Sequence, residues 1–178
     1  MIQVIDNFFD QSVCEEITSR LYAKANLNSR FKFVRKTLIE CESSNLFSDI
    51  CISLAKNFFS LESMVGYEIW YNIDNKPSTW HLDKDETLNM KHKIMRYPFC
   101  SIIFYPFVNC AGGRFLFKEN INDDAFHTIE IKTNRILLVP PGILHNVEEF
   151  KGNRISIVIC PWDYEVEPWI QNDLNQKY

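Results

Sequence analysis

Two of the four histidines in this 178-residue chain stand near charged residues at spacings that suit metal chemistry. The first is His81, in the segment Trp80-His81-Leu82-Asp83, where a single residue separates the imidazole from a carboxylate. In an extended backbone, alternate side chains point to the same side, so His81 and Asp83 can converge on one point. One such pair is weak evidence alone, because this composition gives about 0.5 such pairs by chance.

The second histidine, His145, precedes a run of β-branched residues that begins at Arg154. With a turn at Lys151–Asn153, the segment predicts a β-hairpin that carries His145 on one strand and Arg154 with Ser156 on one face of the next. A guanidinium that faces a β core is costly unless an anion meets it, and its planar fork matches a carboxylate. The Ser156 hydroxyl can donate a further hydrogen bond to the same anion.

Together, His81, Asp83 and His145 provide the two histidines and one carboxylate that bind Fe(II) in non-haem oxygen chemistry. Such a triad leaves three positions on the metal open. A chelating 2-oxo acid would take two of them and O2 the third, and Arg154 would hold the far carboxylate of the 2-oxo acid. The other histidines, His92 and His127, have no partner at ligand spacing and are interpreted as surface residues.

The segments that must position these residues form a helical first third and a β-rich remainder. Residues 2–9 predict a short strand or an extended lead-in, and Asp10 or Ser12 can then cap a helix. A strand is expected at Phe31–Thr37, and a second helix near Ser43 or Ser44. After Met64 the apolar period changes to two, with turn residues between short β segments. Those segments are centred on Tyr67–Ile73, Cys100–Phe107, Arg114–Lys118, Phe126–Ile131, Ile136–Val139 and Arg154–Cys160.

Helices followed by strands predict an α+β, mainly β fold in which the helices pack on one sheet face. Six or more short strands are typical of a sandwich or barrel. The length predicts one domain over residues 1–178. Within it, residues 1–63 form a helical part, residues 64–162 the β core and residues 163–178 a C-terminal tail.

Composition and charge restrict the function classes. No apolar run reaches the roughly 18 residues of a transmembrane helix, so no membrane partner is expected. The N-terminus lacks a signal-peptide pattern and the six cysteines form no Cys-x-x-Cys pair, which favours a cytoplasmic protein with reduced thiols. A net charge of −4 argues weakly against a nucleic-acid partner.

The order and spacing of these motifs resemble the Fe(II)/2-oxoglutarate-dependent oxygenases, specifically the prolyl-4-hydroxylase-like branch. The matching series is His81-x-Asp83, Gly112-Gly113 before a strand, His145, and Arg154 nine residues later. The form Arg154-x-Ser156 also occurs in that superfamily. The resemblance covers roughly residues 66–162, and it implies a double-stranded β-helix (jelly-roll) core buttressed by the N-terminal helices.

Two tyrosines extend the resemblance. Tyr71, ten residues before His81, is similar in place to a prolyl-hydroxylase tyrosine that lines the 2-oxoglutarate pocket. Tyr105 resembles a second tyrosine that hydrogen-bonds the distal carboxylate. The resemblance implies hydroxylation of a C–H bond with release of succinate and CO2, using Fe(II), 2-oxoglutarate and O2, with ascorbate as a reductant. The implied substrate is an amino acid, a peptidyl (prolyl-type) residue or a small molecule, selected by loops at residues 84–97 and 119–126.

Departures from the family pattern define the alternatives. Arg114 stands where the family often has Glu or Thr, so the chemistry on the substrate side of the site can differ from that of the family. Asp83 is kept, whereas related halogenases lose this carboxylate, so hydroxylation is favoured over halogenation. Ser156 and Cys160 differ from the Arg-x-Asn-x-x-x-Arg pattern of the nucleic-acid demethylases. A non-catalytic jelly-roll module that binds metal or a small acid remains open, as does a cupin-type metal enzyme, although cupin sites use more histidines.

Overall fold

The computed structural model describes residues 1–23, 32–73 and 78–167. The helices in these ranges are α1 (Gln11–Ala23), α2 (Leu38–Glu42), α3 (Phe47–Ala55) and α4 (Glu86–His92). The strands are β1 (Gln3–Asp6), β2 (Lys32–Arg35), β3 (Gly66–Asn72), β4 (Ser101–Gly112), β5 (Phe115–Lys118), β6 (His127–Ile129), β7 (Arg135–Val139), β8 (Leu144–Val147) and β9 (Phe150–Trp162). None of the helices in the described ranges is both long and apolar enough to cross a membrane.

The strands form two antiparallel sheets. Six of them make a large sheet in the order β1-β7-β4-β9-β3-β2, and three make a small sheet in the order β6-β5-β8. Helices α1 and α3 pack against strands of the large sheet. The prediction of an α+β, mainly β fold with helices on a sheet face is therefore confirmed.

Each face of the large sheet carries its own apolar core. On the helix side, Phe104 and Ile157 pack with Ile52 of α3. On the other side, Ile103 and Val158 pack towards Phe115 of the small sheet. Because neighbouring residues of a strand point to opposite faces, one step along β4 or β9 moves a side chain from one core to the other.

Strand β4 contains an irregularity that changes this alternation. Its register with β9 shifts between Phe104 and Phe107, and Pro106, which has no N–H to donate, lies inside the shift. Tyr105 therefore faces the space between the sheets and Phe107 faces the helices, although they are two residues apart. The bulge resets the alternation so that Val108 faces the small sheet again.

The predicted hairpin between His145 and Arg154 is wrong. Strand β8 pairs with β5 in the small sheet, whereas β9 pairs with β4 and β3 in the large sheet. The predicted turn at Lys151–Asn153 lies inside β9, where Gly152 has φ +116° and a Cβ would come 2.4 Å from the Asn109 carbonyl oxygen. The chain changes sheets at residues 148–149, so His145 and Arg154 belong to opposite sheets.

Two helix predictions also need correction. The helix expected to start near Ser43 or Ser44 begins at Phe47 as α3, whereas α2, which ends at Glu42, was not predicted. A capping box starts α2, because Glu40 N–H donates to Thr37 Oγ1 at 3.4 Å and Thr37 N–H donates to the Glu40 carboxylate at 2.7 Å. The loop expected at residues 84–97 contains α4, whose first turn is capped by Asp85.

Some predicted boundaries lie outside the described residues. They are Phe31 at the start of the second strand, the breaker Asn75–Pro77 and the tail after residue 167. The remaining strand predictions after Met64 agree with the structure within two residues at their ends, except that β4 extends five residues further towards the C-terminus and β9 four residues further towards the N-terminus.

Candidate metal centre

His81 and His145 lie opposite each other at the edge of the small sheet. They form an isolated antiparallel bridge, in which each backbone N–H donates to the other residue's carbonyl, at 2.9 and 3.0 Å. The His81 segment thereby extends the small sheet beside β8. Asp83 lies two residues further along the same extended segment. Its side chain points to the same side as that of His81, as the His-x-Asp spacing predicts.

The donor atoms of His81, Asp83 and His145 all lie within 4.8 Å of one another. His81 Nε2 is 3.9 Å from Asp83 Oδ1, and His145 Nε2 is 3.7 Å from Asp83 Oδ2. These separations are too long for hydrogen bonds. Bonds of about 2.0–2.2 Å to one metal ion allow ligand atoms to lie up to about 4.4 Å apart, and both His–Asp separations are within that limit.

Backbone carbonyls fix the orientation of both imidazoles. His81 Nδ1 lies 2.7 Å from the Thr79 carbonyl oxygen, and His145 Nδ1 lies 2.9 Å from the Ile143 carbonyl oxygen. A carbonyl only accepts, so each Nδ1 carries the proton and each Nε2 presents its lone pair towards Asp83. This arrangement is the one that orients histidine ligands around metals in proteins.

The electrostatics of these residues fit a cation. Asp83 Oδ2 is buried and has no hydrogen-bond partner within the described residues. Burial lowers the pKa of His145, although the Asp83 carboxylate acts in the opposite direction. The imidazole is therefore held neutral, which a metal ligand requires. A buried carboxylate oxygen without a donor is unfavourable, and a bound metal ion removes that cost.

A buried arginine lies across the inter-sheet space from these residues. Arg154 of β9 is 4% exposed, and its Nε and Nη1 atoms have no partner within the described residues. Its guanidinium lies 4.6 Å from the centre of the Phe150 ring. A buried guanidinium with two unpaired nitrogens is strongly disfavoured without an anion, so the geometry fits a carboxylate ligand.

One cavity of about 300 Å³ joins the arginine to the histidine–carboxylate cluster. Arg154, Ser156 and Val158 lie on its large-sheet side, as predicted from their alternation. The cavity is lined by Trp70, Asn72, Ser78, His81, Asp83, Ile103, Tyr105, Phe115, His145, Val147, Arg154, Ser156 and Val158. A molecule in this space can contact both sheets.

Polar side chains surround the arginine in this cavity. Burial raises the pKa of Tyr105 to about 12 even though Arg154 acts to lower it, so the phenol stays protonated and can donate a hydrogen bond. Asn72 Nδ2 donates to Ser156 Oγ at 3.4 Å. Tyr105 and Ser156 were both candidates from the sequence, whereas Asn72 was missed.

Tyr71 lies on the opposite face of β3 and does not line this cavity. It lines a groove on the helix side with Phe47 and Ile69. Its expected place at the 2-oxoglutarate site is therefore corrected, because strand alternation turns Trp70 and Asn72 towards the cavity instead. The period-two pattern of residues 67–73 puts Glu68, Trp70 and Asn72 on one side of the strand, and that signal identifies Asn72.

Arg114, the other two histidines and Trp80 lie outside the lining of this cavity. Arg114 donates two hydrogen bonds to the Glu148 carboxylate, at 2.6 and 2.9 Å, in a half-exposed ion pair. His92 and His127 are exposed. Trp80 contacts the Phe126 ring at 5.9 Å between centroids, outside the cavity lining.

Comparison with solved structures places this architecture among known folds. A Pseudomonas putida prolyl-4-hydroxylase has a TM-score of 0.65 and 13% identity, over 92% of this chain and 93% of that one. A Trichoplax adhaerens prolyl hydroxylase, solved with a hypoxia-inducible-factor peptide, has a TM-score of 0.61 and 15% identity, over 91% and 83%. HygX from Streptomyces hygroscopicus, solved with nickel and 2-oxoglutarate, has a TM-score of 0.58 and 12% identity, over 93% and 84%.

No protein-family model matches the chain. No curated protein matches its sequence either. The structural neighbours nevertheless show that the chain has the fold of Fe(II)/2-oxoglutarate oxygenases. The neighbours include prolyl hydroxylases, so the resemblance inferred from the motif is confirmed at the level of the fold.

Proposed function

We propose that the protein is an Fe(II)- and 2-oxoglutarate-dependent dioxygenase that hydroxylates a C–H bond of an amino-acid, peptidyl or small-molecule substrate. The observation that carries the proposal is one cavity lined by both the His81–Asp83–His145 cluster and Arg154, whose Nε and Nη1 atoms have no partner within the described residues. A metal cluster alone fits many chemistries. A buried cation site and a buried anion site in one small cavity fit a metal together with a chelating dicarboxylate.

Each residue of the cavity has a role in this proposal. His81, Asp83 and His145 hold the Fe(II) ion. Arg154 binds the distal carboxylate of 2-oxoglutarate through its free nitrogens, with Tyr105 and Ser156 as further hydrogen-bonding groups. When bound, the metal and 2-oxoglutarate supply the oxygen chemistry, in which O2 oxidises the 2-oxo acid to succinate and CO2 and hydroxylates the substrate.

The protein contributes position and exclusion of water. The backbone bridge between His81 and His145 fixes two ligands relative to each other, and the two carbonyl contacts fix their rings. Phe115 stacks on the His145 ring at 5.2 Å between centroids and shields it from solvent. Such preorganisation is the usual contribution of a protein to a metal-dependent reaction.

We also propose that the two sheets form the double-stranded β-helix, or jelly-roll, of a single catalytic domain. The alternation of consecutive strands β8 and β9 between the two sheets supports this interpretation. A peptidyl substrate is supported by the likeness to prolyl hydroxylases, one of which was solved with a peptide.

The proposal is tested by ligand binding and by turnover. Mn(II) and 2-oxoglutarate, each at about 100 times its Kd, are expected to stabilise the folded protein by about 2.7 kcal/mol per ligand, which thermal unfolding under argon measures. With Fe(II), ascorbate and air, succinate is expected to form from 2-oxoglutarate. A protein that shows neither stabilisation nor succinate contradicts the proposed function.

Removal of one hydroxyl distinguishes the two tyrosines that the resemblance suggested. Tyr105→Phe is expected to raise the KM for 2-oxoglutarate about 5- to 10-fold, because a hydrogen bond to the distal carboxylate is worth about 1–1.5 kcal/mol. Tyr71→Phe is the matched control and is expected to leave this KM unchanged, since Tyr71 faces the helix side. Equal effects of the two changes on KM contradict the assignment.

A further inference from the structure

A second cavity, of about 240 Å³, adjoins the candidate metal centre at the end away from Arg154. It shares His81, Asp83 and Trp70 with the first cavity. Strands β3 and β9 of the large sheet line both cavities. Their paired residues Asn72 and Ser156 line the first cavity, and their paired residues Glu68 and Cys160 line the second. A molecule in this space therefore lies next to the metal without occupying the site proposed for 2-oxoglutarate.

Glu68 places a buried carboxylate in the second cavity. The residue is 9% exposed, and its Oε2 accepts a hydrogen bond from Trp162 Nε1 at 3.0 Å. Its Oε1 has no hydrogen-bond partner within the described part of the chain. Burial raises the pKa of Glu68 to about 7, and the nearby Asp85 and Asp83 carboxylates act in the same direction.

The other acids around this cavity have partners of their own. Glu86 pairs with Lys84 at 2.6 Å, and Glu167 pairs with Lys91 at 2.6 Å. Asp85, behind the cavity, accepts hydrogen bonds from the Tyr164 hydroxyl at 2.8 Å and from the Leu88 N–H at 2.7 Å. Asp83 is assigned to the metal. Of the acids that line the cavity, Glu68 is then the one that pairs with no cationic side chain within residues 1–23, 32–73 and 78–167.

We infer that the second cavity binds a cationic group of the substrate, an ammonium or a guanidinium, through the Glu68 carboxylate. The inference rests on the proposed function and names the substrate class of that site. Once ionised, the Glu68 carboxylate offers such a group a hydrogen-bond acceptor at Oε1 and a negative charge. Trp70 and Trp162 also line the cavity, and aromatic rings attract cations.

This placement has a consequence for the reaction. Because His81 and Asp83 line both cavities, a cation at Glu68 holds the carbon chain attached to it beside the metal. The substrate is then an alkylamine or alkylguanidine, free or as a side chain of a peptide. The hydroxylated C–H lies on the chain between the cationic group and the rest of that molecule.

The test compares each cation with a neutral molecule of the same shape. Pentylamine is compared with 1-pentanol, and butylguanidine with butylurea. The two comparisons distinguish an ammonium site from a guanidinium site. Each probe is titrated into the protein loaded with Mn(II) and 2-oxoglutarate under argon, and Kd is measured by NMR. At least one cation is expected to bind about 10- to 100-fold more tightly than its neutral counterpart, as expected for a charge-assisted hydrogen bond.

Glu68→Gln is the decisive variant. The amide oxygen can still accept from Trp162 Nε1, and removal of a buried charge does not weaken the fold, so an unchanged or higher Tm is expected. The preference for the cation is expected to disappear in this variant. Glu62→Gln removes an exposed charge outside the cavity lining, and this control is expected to keep the full preference.

Two results overturn the inference: no preference for either cation in the unaltered protein, or a preference that survives Glu68→Gln. The proposed function fails separately, through the absence of Mn(II) and 2-oxoglutarate binding. In that case the same cation titrations are made on the metal-free protein. A Glu68-dependent preference there supports the cation site even though the oxygenase assignment is lost, and its absence overturns both.

Discussion

Replacing His145 with alanine is expected to reduce succinate formation about 1,000-fold or more. The change removes one of three side chains that converge on the proposed metal position, and the remaining pair, His81 and Asp83, is a poor site for a divalent ion. Even changes to residues that only orient a metal ligand typically cost 10- to 100-fold, so loss of a ligand costs more. Mn(II) affinity, measured by calorimetry, is expected to fall in parallel.

His127→Ala is the matched control for this variant. His127 also stacks on a phenylalanine of β5, with its ring 5.1 Å from that of Phe117, but it is exposed and lies outside the cluster. It is expected to retain Mn(II) affinity and succinate formation within about two-fold. If His145→Ala and His127→Ala turn over alike, His145 is not a metal ligand and the proposed triad is wrong.

Replacing Arg154 with glutamine is expected to raise the KM for 2-oxoglutarate about 100-fold. Loss of one partner from a buried charged hydrogen-bond pair costs about 2–5 kcal/mol, and 1.4 kcal/mol corresponds to a factor of ten. Arg154→Lys keeps the charge without the planar fork, so its KM for 2-oxoglutarate is expected to lie between those of Arg154→Gln and the unaltered protein. Initial succinate rates across a 2-oxoglutarate series measure both variants.

Arg154→Gln is expected to weaken 2-oxoglutarate binding without weakening the fold of the ligand-free protein. Arg154 Nε and Nη1 are buried without partners in the described chain, so Arg154→Gln is expected to leave the ligand-free protein equally stable or more stable in urea. The control is Arg114→Gln, which breaks a half-exposed ion pair with Glu148 and leaves the KM unchanged. A normal KM in Arg154→Gln contradicts the role of Arg154 as the carboxylate site.

The His81–Asp83 pair was predictable from the sequence because its geometry is local. One intervening residue in an extended segment is enough to put His81 and Asp83 on the same side. Arg154 was predictable for a related reason, since a guanidinium at an apolar strand position needs an anion. The position of His145 followed from its order and spacing in the motif.

The incorrect predictions concern features that depend on pairing or alternation in the completed sheets. The segment around Gly152 reads as a turn, but its backbone pairs with Cys110 of β4, and only the completed large sheet shows that β9 starts before it. Tyr71 was assigned by its distance from His81, whereas its orientation depends on the alternation along β3. That alternation was visible in the sequence and also placed Glu68 and Asn72 on the cavity side.

The division of roles between the two sheets has a thermodynamic consequence. The histidines belong to the small sheet and its extension, whereas Arg154, Ser156 and Glu68 belong to the large one. A dicarboxylate that spans the space connects the two layers, so it binds best when the metal already defines one end. By linkage, each ligand must then increase the affinity for the other by the same factor. The centre is thus expected to fill as a cooperative unit, with metal and cosubstrate reinforcing each other's binding.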